Sequence, residues 1–329
     1  MTNALKKEIK SLIDKYQLDC SIDDFKNHVN WDWISKYQNL SELFIEKFKD
    51  KVDWTYISVN QKLSESFIQR YKDKVDWYFI SRFRKLSEDF IEKHKEDVDW
   101  YAISTHQKLS ESFIEKFKEY VDWNLISIYQ KLSESFIEKY KEDVDWYNIS
   151  QYQKLSEPFI KRFKNRVDWN LISAYQKLSE DLIERFKSYV RWNNISEYQK
   201  LSKDFIKKYN IEIPENNTNY MTKKQINNLI PDCYERKEDY IIAYKNIRTD
   251  RYSHFNFQYK YEKGRIYESH CDCNNNAKNS FGLSLWTEEN ARDFNDNGIV
   301  VKCRVKVKDI GAVVHKGNKL RCKRIEVLE

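Results

Sequence analysis

Eight tryptophans, Trp31, Trp54, Trp77, Trp100, Trp123, Trp146, Trp169 and Trp192, recur every 23 residues with no insertion or deletion between them. So fixed a period means a stack of near-identical units, each too small to bury its own apolar face and each covered by the next. Such an array offers a long surface and no enclosed pocket, which points to binding and away from catalysis. All five glycines lie at or beyond Gly264. The repeats therefore need no left-handed glycine, as suits short helices joined by polar turns.

A typical unit runs from Val121 to Asp143 and reads VDWNLISIYQKLSESFIEKYKED. Asp122 is placed to cap a first helix, in which Trp123, Ile126 and Tyr129 recur at spacings of three. Gln130 and Lys131 read as a turn. Ser133 caps a second helix, with Leu132 and Ile137 as a hydrophobic staple and Phe136, Ile137 and Tyr140 as the buried stripe. Pro158 falls in a first turn, where proline costs no hydrogen bond. The serine repeated from Ser35 to Ser196 reads as a small residue allowing close helix approach, its hydroxyl bonded back to the preceding turn. Each tryptophan is expected to lock one unit to the next.

The expected fold is mainly α: a helix-turn-helix repeat solenoid of eight 23-residue repeats (residues 29–213) followed by a small α+β domain (240–329). A cap helix from about Asn3 to Gln17 and a degenerate repeat (1–28) precede the array, and residues 214–239 read as a linker.

The units differ most at two positions. The residue after tryptophan is Asp32, Thr55, Tyr78, Tyr101, Asn124, Tyr147, Asn170 or Asn193, and four residues on stand Lys36, Val59, Arg82, Thr105, Ile128, Gln151, Ala174 and Glu197. A spacing of four puts both on one helix face. Tyr78, Arg82, Tyr101 and Tyr147 are the expected partner-binding residues, because tyrosine and arginine are common interface anchors.

The charge sits elsewhere. Met221–Glu329 holds 21 Lys+Arg against 15 Asp+Glu, leaving 37 of each before it, so the formal +6 belongs wholly to the C-terminal part. A neutral repeat surface does not suit an array that wraps DNA. Tyr240 to Arg248, Phe255 to Tyr261 and Ile299 to Lys308 read as strands, and Thr287 to Phe294 as a helix. Lys302, Arg304, Lys306 and Lys308 alternate with Val301, Cys303, Val305 and Val307. A run from Lys319 to Val327 is expected to pair with them and add Arg321 and Lys323. The basic face is a candidate phosphate or nucleic-acid surface, or else a lysine-lined edge, and its strand carries no interleaved aromatics.

His270-Cys271-Asp272-Cys273, with His254, Cys303 and Cys322 elsewhere, lacks the spacing of a zinc site. No metal or cofactor is expected. Six cysteines, no signal peptide and no apolar run near the roughly 20 residues of a membrane span indicate an intracellular protein with reduced thiols and no membrane partner.

The motif VDWxxISxYQKLSExFIEKFK resembles the 23-residue helical repeats of giant-virus (mimivirus-type) proteins. The segments YKNIRTD, YEKGRIYE, FGLSLWTEENA, VVKCRVKVKDIGAVV and KLRCKRIEVL resemble a small domain of phage and giant-virus proteins, in which a histidine usually follows Gly-Leu; here Ser284 stands there. The resemblance implies a viral origin, with the host cytoplasm as location, and is silent on activity. A non-enzymatic scaffold engaging a host or viral protein is the expected function. The alternatives are the phosphate or nucleic-acid module and an ADP-ribosyltransferase-like enzyme, suggested by Arg248 and by Gly282-Leu283 ahead of a helix with Ala291.

Overall fold

Helical repeats occupy the first two thirds of the chain and an antiparallel β-sheet domain follows them. The computed structural model describes all residues except 216, 255–258, 278–279 and 296. The chain divides into two compact units, Met1–Asp122 and Trp123–Glu329.

In the first unit, helix Asn3–Tyr16 is capped by Thr2 and buries Leu5, Ile9 and Leu12. The short helix Phe25–His28 follows, where a degenerate second helix was expected. The pairs Trp31–Tyr37 and Glu42–Lys47, Trp54–Asn60 and Glu65–Arg70, Trp77–Phe83 and Glu88–Lys93, and Trp100–His106 and Glu111–Lys116 come next. The second unit holds Trp123–Tyr129 and Glu134–Lys139, Trp146–Tyr152 and Glu157–Arg162, Trp169–Tyr175 and Glu180–Arg185, and Trp192–Tyr198 and Lys203–Tyr209. Within each unit the first helices of successive repeats pack on one another.

Local chemistry sets these helices. Asp53, Asp76 and Asp99 cap first helices of the first unit, and Asp145 and Asp168 those of the second. Ser41 to Ser202 cap every second helix through the N–H three residues on. Pro158 lies in its helix's first turn. The first-helix isoleucine and the Phe-Ile or Leu-Ile pair of the second helix form the core of each repeat, with Ile206 of the last repeat only partly buried.

Tryptophan plays a different part from the one its period suggests. Trp146 is half-buried, lies 6.2 Å from Phe159 and 5.1 Å from Phe163, and donates its indole N–H to the Lys141 carbonyl at 2.8 Å. It joins the two helices of its own repeat and pins the connector before it. The lock between repeats is polar. Gln153 donates to the carbonyls of Ser127 and Gln130, both at 2.8 Å, and accepts from the Leu132 N–H at 3.1 Å. Gln176 and Gln199 repeat this one and two units on, and Gln61 and Gln107 do so in the first unit. The position expected to be a turn is thus a buried ladder of side-chain amides. At the one departure, Arg84 places its guanidinium on the carbonyls of Gln61 and Val59.

Two further rows support the ladder. Ser150 Oγ donates back to the Trp146 carbonyl at 2.7 Å, as expected, and also accepts from the Asp168 N–H of the following repeat at 2.9 Å. Glu157 accepts from the N–H and hydroxyl of Ser179. Outside the repeats, Glu8 takes Ser41 in the same way and Lys15 Nζ donates to Gln38 Oε1 at 2.8 Å, so the N-terminal helix supplies the bonds a preceding repeat would make.

In the β domain, β1 (Glu235–Lys237), β2 (Tyr240–Ile247), β3 (Ile266–Glu268), β4 (Leu283–Trp286), β5 (Ile299–Lys306), β6 (Ile310–Val314), β7 (Lys319–Cys322) and β8 (Arg324–Val327) form one antiparallel sheet in the order β3-β8-β5-β2-β4-β7-β6, with β1 also on β2. Two expectations change here. Residues 214–239 contain helix Lys223–Leu229 and β1, and Ile226, Ile230 and Tyr234 enter the domain core, so most of the stretch belongs to the domain. The run from Lys319 splits: β7 pairs with β4 and β6, and only β8 reaches β5. Of the strand expected from Phe255, residues 255–258 lie outside the described residues, and Lys260 makes a single bridge to Tyr252.

The domain also terminates the second unit's ladder. Tyr220 Oη accepts from the Leu201 N–H at 3.1 Å and donates to the Gln199 carbonyl at 3.2 Å, while Asn217 Nδ2 donates to the Glu197 carbonyl at 2.8 Å and the Ser196 carbonyl at 3.5 Å. The Ser196 and Gln199 carbonyls and the Leu201 N–H are the groups a ninth glutamine would take. Gln153→Ala strands two carbonyls and one N–H, and should cost about 3 kcal/mol in chemical denaturation, against under about 1 kcal/mol for Tyr147→Ala. Tyr220→Phe should cost about 1 to 2 kcal/mol and speed hydrogen exchange at Leu201.

Candidate partner-binding surface

The first helix of each repeat turns its isoleucine inward and leaves the residue after tryptophan exposed, while the position four further on is mixed, exposed at Lys36 and Arg82 and buried at Thr105 and Ala174. In the first unit Tyr78 and Tyr101 are exposed, the latter by 59%. Arg82 donates to Tyr78 Oη at 2.8 Å, and its guanidinium lies 5.9 Å from the Tyr78 ring and 5.2 Å from that of Phe83. The guanidinium is thereby held beside two aromatic rings. In the second unit Tyr147 is exposed by 57%. All four expected partner-binding residues lie at the surface.

A second row lies beside them, six residues after tryptophan, which sequence reading used only as part of the helical spacing. Tyr129 is half-buried, and Tyr37, Phe83 and Tyr152 at the same position are exposed. With Trp33, also exposed, they make the first-helix face more aromatic than the variable stripe alone. The signal was present in the sequence, since Tyr or Phe recurs at this position, but a spacing of three from tryptophan drifts off the buried face that isoleucine marks. Partial burial raises the Tyr152 hydroxyl above its ordinary pKa, with the Tyr175, Tyr129 and Tyr147 hydroxyls adding to the effect.

Part of this face is covered within the second unit. The loop between β3 and β4 places the Phe281 ring 4.6 Å from Tyr175 and 5.4 Å from Tyr198. His270 stacks on Phe281 at 5.4 Å and donates from Nε2 to the Ala174 carbonyl at 3.1 Å, and Asn274 Nδ2 donates to Glu197 Oε1 at 3.0 Å. A side chain at Gly282, where φ is +130°, would meet Cys271 Sγ at 2.8 Å, so glycine is required for the loop to close. Burial pushes His270 down to about 4 and, with Glu197 and Asp272 nearby, pushes Tyr198 up to about 12.

The six basic residues expected to form one face are divided. Lys302, Arg304 and Lys306 lie on the outer face of β5, in register with Tyr244, Ile242 and Tyr240 of β2. The aromatics missing from the strand thus come from its neighbour, and Arg304 and Lys306 both lie over the Tyr240 ring. A depression of about 380 Å³ lies there, lined by Lys237, Tyr240, Lys302 and Arg304 among others. Much of the charge is compensated, since Arg304 holds Glu326 at 2.8 and 2.9 Å and Lys237 holds Glu235 at 2.9 Å. Lys308 lies beyond the strand in a 3-10 turn. Arg321 is fully buried, paired with Asp272 at 2.9 Å, and Lys323 donates to Asn219 Oδ1 at 2.8 Å; both anchor the loop and face no ligand surface. Nor is β5 an edge, because β8 and β2 flank it.

Cys271 and Cys273 are buried beside that pair. Cys273 is pulled down to about 6, first by a hydrogen bond from Cys271, with Lys323 and Thr218 assisting, and burial drives the Cys271 thiol up. Among the described residues no three His, Cys, Asp or Glu side chains converge as metal ligands. Arg248, the residue behind the enzymatic alternative, pairs with Asp250 at 2.8 Å, and Ala291 is buried under β2 with its carbonyl bonded to Asn246.

Because His270 is held neutral, the loop's docking has a definite pH dependence. Between the ordinary value of 6.5 and about 4 only the unfolded or undocked chain takes the proton, so stability is complete above that window and falls as pH drops through it. In melting-temperature series from pH 7 to 5, the wild type should lose more stability than His270→Gln, whose amide donates without titrating; parallel curves would refute this. Compared with protein-family models, curated proteins and solved structures, the chain matches none.

Proposed function

We propose that this protein is a non-enzymatic viral interaction scaffold whose helical repeats bind a host or viral protein through the aromatic face of their first helices. One observation carries this reading. Exposed aromatic side chains gather on the first-helix face, at Trp33, Tyr37, Tyr78, Phe83 and Tyr101 in the first unit and at Tyr147 and Tyr152 in the second. The second helices instead present charged pairs between repeats, such as Arg70 with Glu46 at 2.9 Å and Arg162 with Glu138 at 2.7 Å, which solvate and cross-brace that side. Aromatics held in place by a rigid backbone supply contact area at small entropic cost.

The resemblance of the repeat motif to giant-virus proteins supports a viral setting and the host cytoplasm as its place. Among the described residues no helix is long and apolar enough to cross a membrane. The β domain acts in this reading as the terminator of the second unit's repeats.

The test is affinity purification from the host cell with the full chain and with Tyr78, Tyr101 and Tyr147 changed together to alanine. Specific partners should be captured by the wild type and lost or sharply reduced with the triple variant, whose circular dichroism should be unchanged. Identical partner lists for the two proteins would reject the surface.

A further inference from the structure

The docked loop is a segment of the chain itself held against the first-helix face. The Phe281 side chain touches the tyrosines that stand six residues after tryptophan in two successive repeats, Tyr175 and Tyr198. Beside it, His270 reaches the backbone carbonyl of the position five after tryptophan in one repeat, Ala174, and Asn274 reaches the side chain of the same position in the next, Glu197. The grip therefore has two parts, an aromatic ring against a tyrosine pair and a donor on a fixed carbonyl.

That carbonyl is an acceptor by construction. It belongs to the last turn of a seven-residue helix, where the helix supplies no N–H four residues on. Three of its copies take side-chain donors: Val59 from Arg84 at 2.8 Å in the first unit, and Ala174 from His270 and Glu197 from Asn217 in the second. Donors as different as guanidinium, imidazole and amide serve, so the feature they share is the carbonyl.

The period generates the same arrangement one repeat earlier. Tyr152 and Tyr175 stand there as Tyr175 and Tyr198 stand under Phe281, with the Gln151 carbonyl in the place of Ala174. Tyr152 is 44% exposed, and Tyr147, five residues before it on the same helix, is 57% exposed. This surface continues directly from the one the loop covers.

We infer that the repeat containing Tyr147, Gln151 and Tyr152 binds an extended segment of a partner protein, one that places an aromatic side chain against Tyr152 and a hydrogen-bond donor on the Gln151 carbonyl. The inference rests on the reading of the repeats as a protein-binding scaffold, and it names the chemistry of the partner: a peptide with Phe, Tyr or Trp near a His, Asn, Gln or Arg, copying Phe281 and His270. Exposed aromatic edges and faces favour such pairing, and the fixed carbonyl sets the register. A polyanion would find no basic group in this set, and a bilayer would find separate rings divided by polar groups.

The probe is a random twelve-residue peptide library displayed on phage and selected against the full-length chain. Enriched sequences should share an aromatic residue and a nearby donor. Synthetic copies should bind about tenfold more weakly to Tyr152→Ala than to wild type. They should bind Tyr240→Ala, on the distant sheet face, as well as wild type. Replacing the aromatic residue of the peptide by alanine should lose binding to the same degree. No enrichment, enriched peptides without an aromatic, or equal affinity for wild type and Tyr152→Ala would each overturn the inference. Its failure is separable from that of the scaffold reading: a cellular partner captured by the wild type, lost with the stripe variant and retained by Tyr152→Ala leaves the scaffold standing without this site.

Discussion

Within each unit, successive repeats are held together by buried side-chain amides, with Arg84 standing in for one of them, and most of the helical architecture of the unit depends on that bond set. The turn between the two helices of a repeat leaves two carbonyls and an N–H facing the neighbouring unit in a dry environment, where unpaired groups are costly. A glutamine 21 to 26 residues further on takes all three at once, as Gln153 does for Leu132, Gln130 and Ser127. An insertion within a unit would carry the amide out of reach, which gives a physical reason why the tryptophan period has none.

A ladder of this kind must be closed where it stops. In the first unit Glu8 and Lys15 make the bonds that a preceding repeat would make, and in the second Tyr220 and Asn217 make those of a following one. The eighth repeat also carries Lys203 where earlier units carry a glutamate, at a position with no serine beyond it to receive a carboxylate. The β domain is therefore joined to the last repeats by the repeats' own hydrogen-bond grammar. Its His270 and Phe281 then extend the contact onto the outer, aromatic face.

Legibility followed the range of the forces involved. The caps at Asp145 and Ser156, the helix Asn3–Tyr16, the basic alternation of β5 and the exposure of Tyr101 and Tyr147 are all set by neighbours within a turn or a strand, and sequence periodicity shows them. Gln130 and its equivalents were read as turn because a polar residue between two helices usually is; nothing local marks it as buried. Tyr129 shares the spacing of three with Trp123 and Ile126, but the isoleucine alone defines the buried line. Arg321 alternates like a surface residue and is instead sealed against Asp272, a partner 49 positions away in sequence. The tyrosine platform beside the basic strand belongs to β2 and becomes visible only through strand register.

The sequence by itself determined the repeat, its length, its helices and caps, and the stripe where units differ, because each is fixed by contacts within about one 23-residue period. Tertiary structure decided which polar residues are buried, which aromatics stay outside and how the β domain meets the last repeats. Those outcomes depend on what lies opposite a residue in space, and for Gln153, Arg321 and Phe281 the group opposite belongs to another repeat, another strand or another fold.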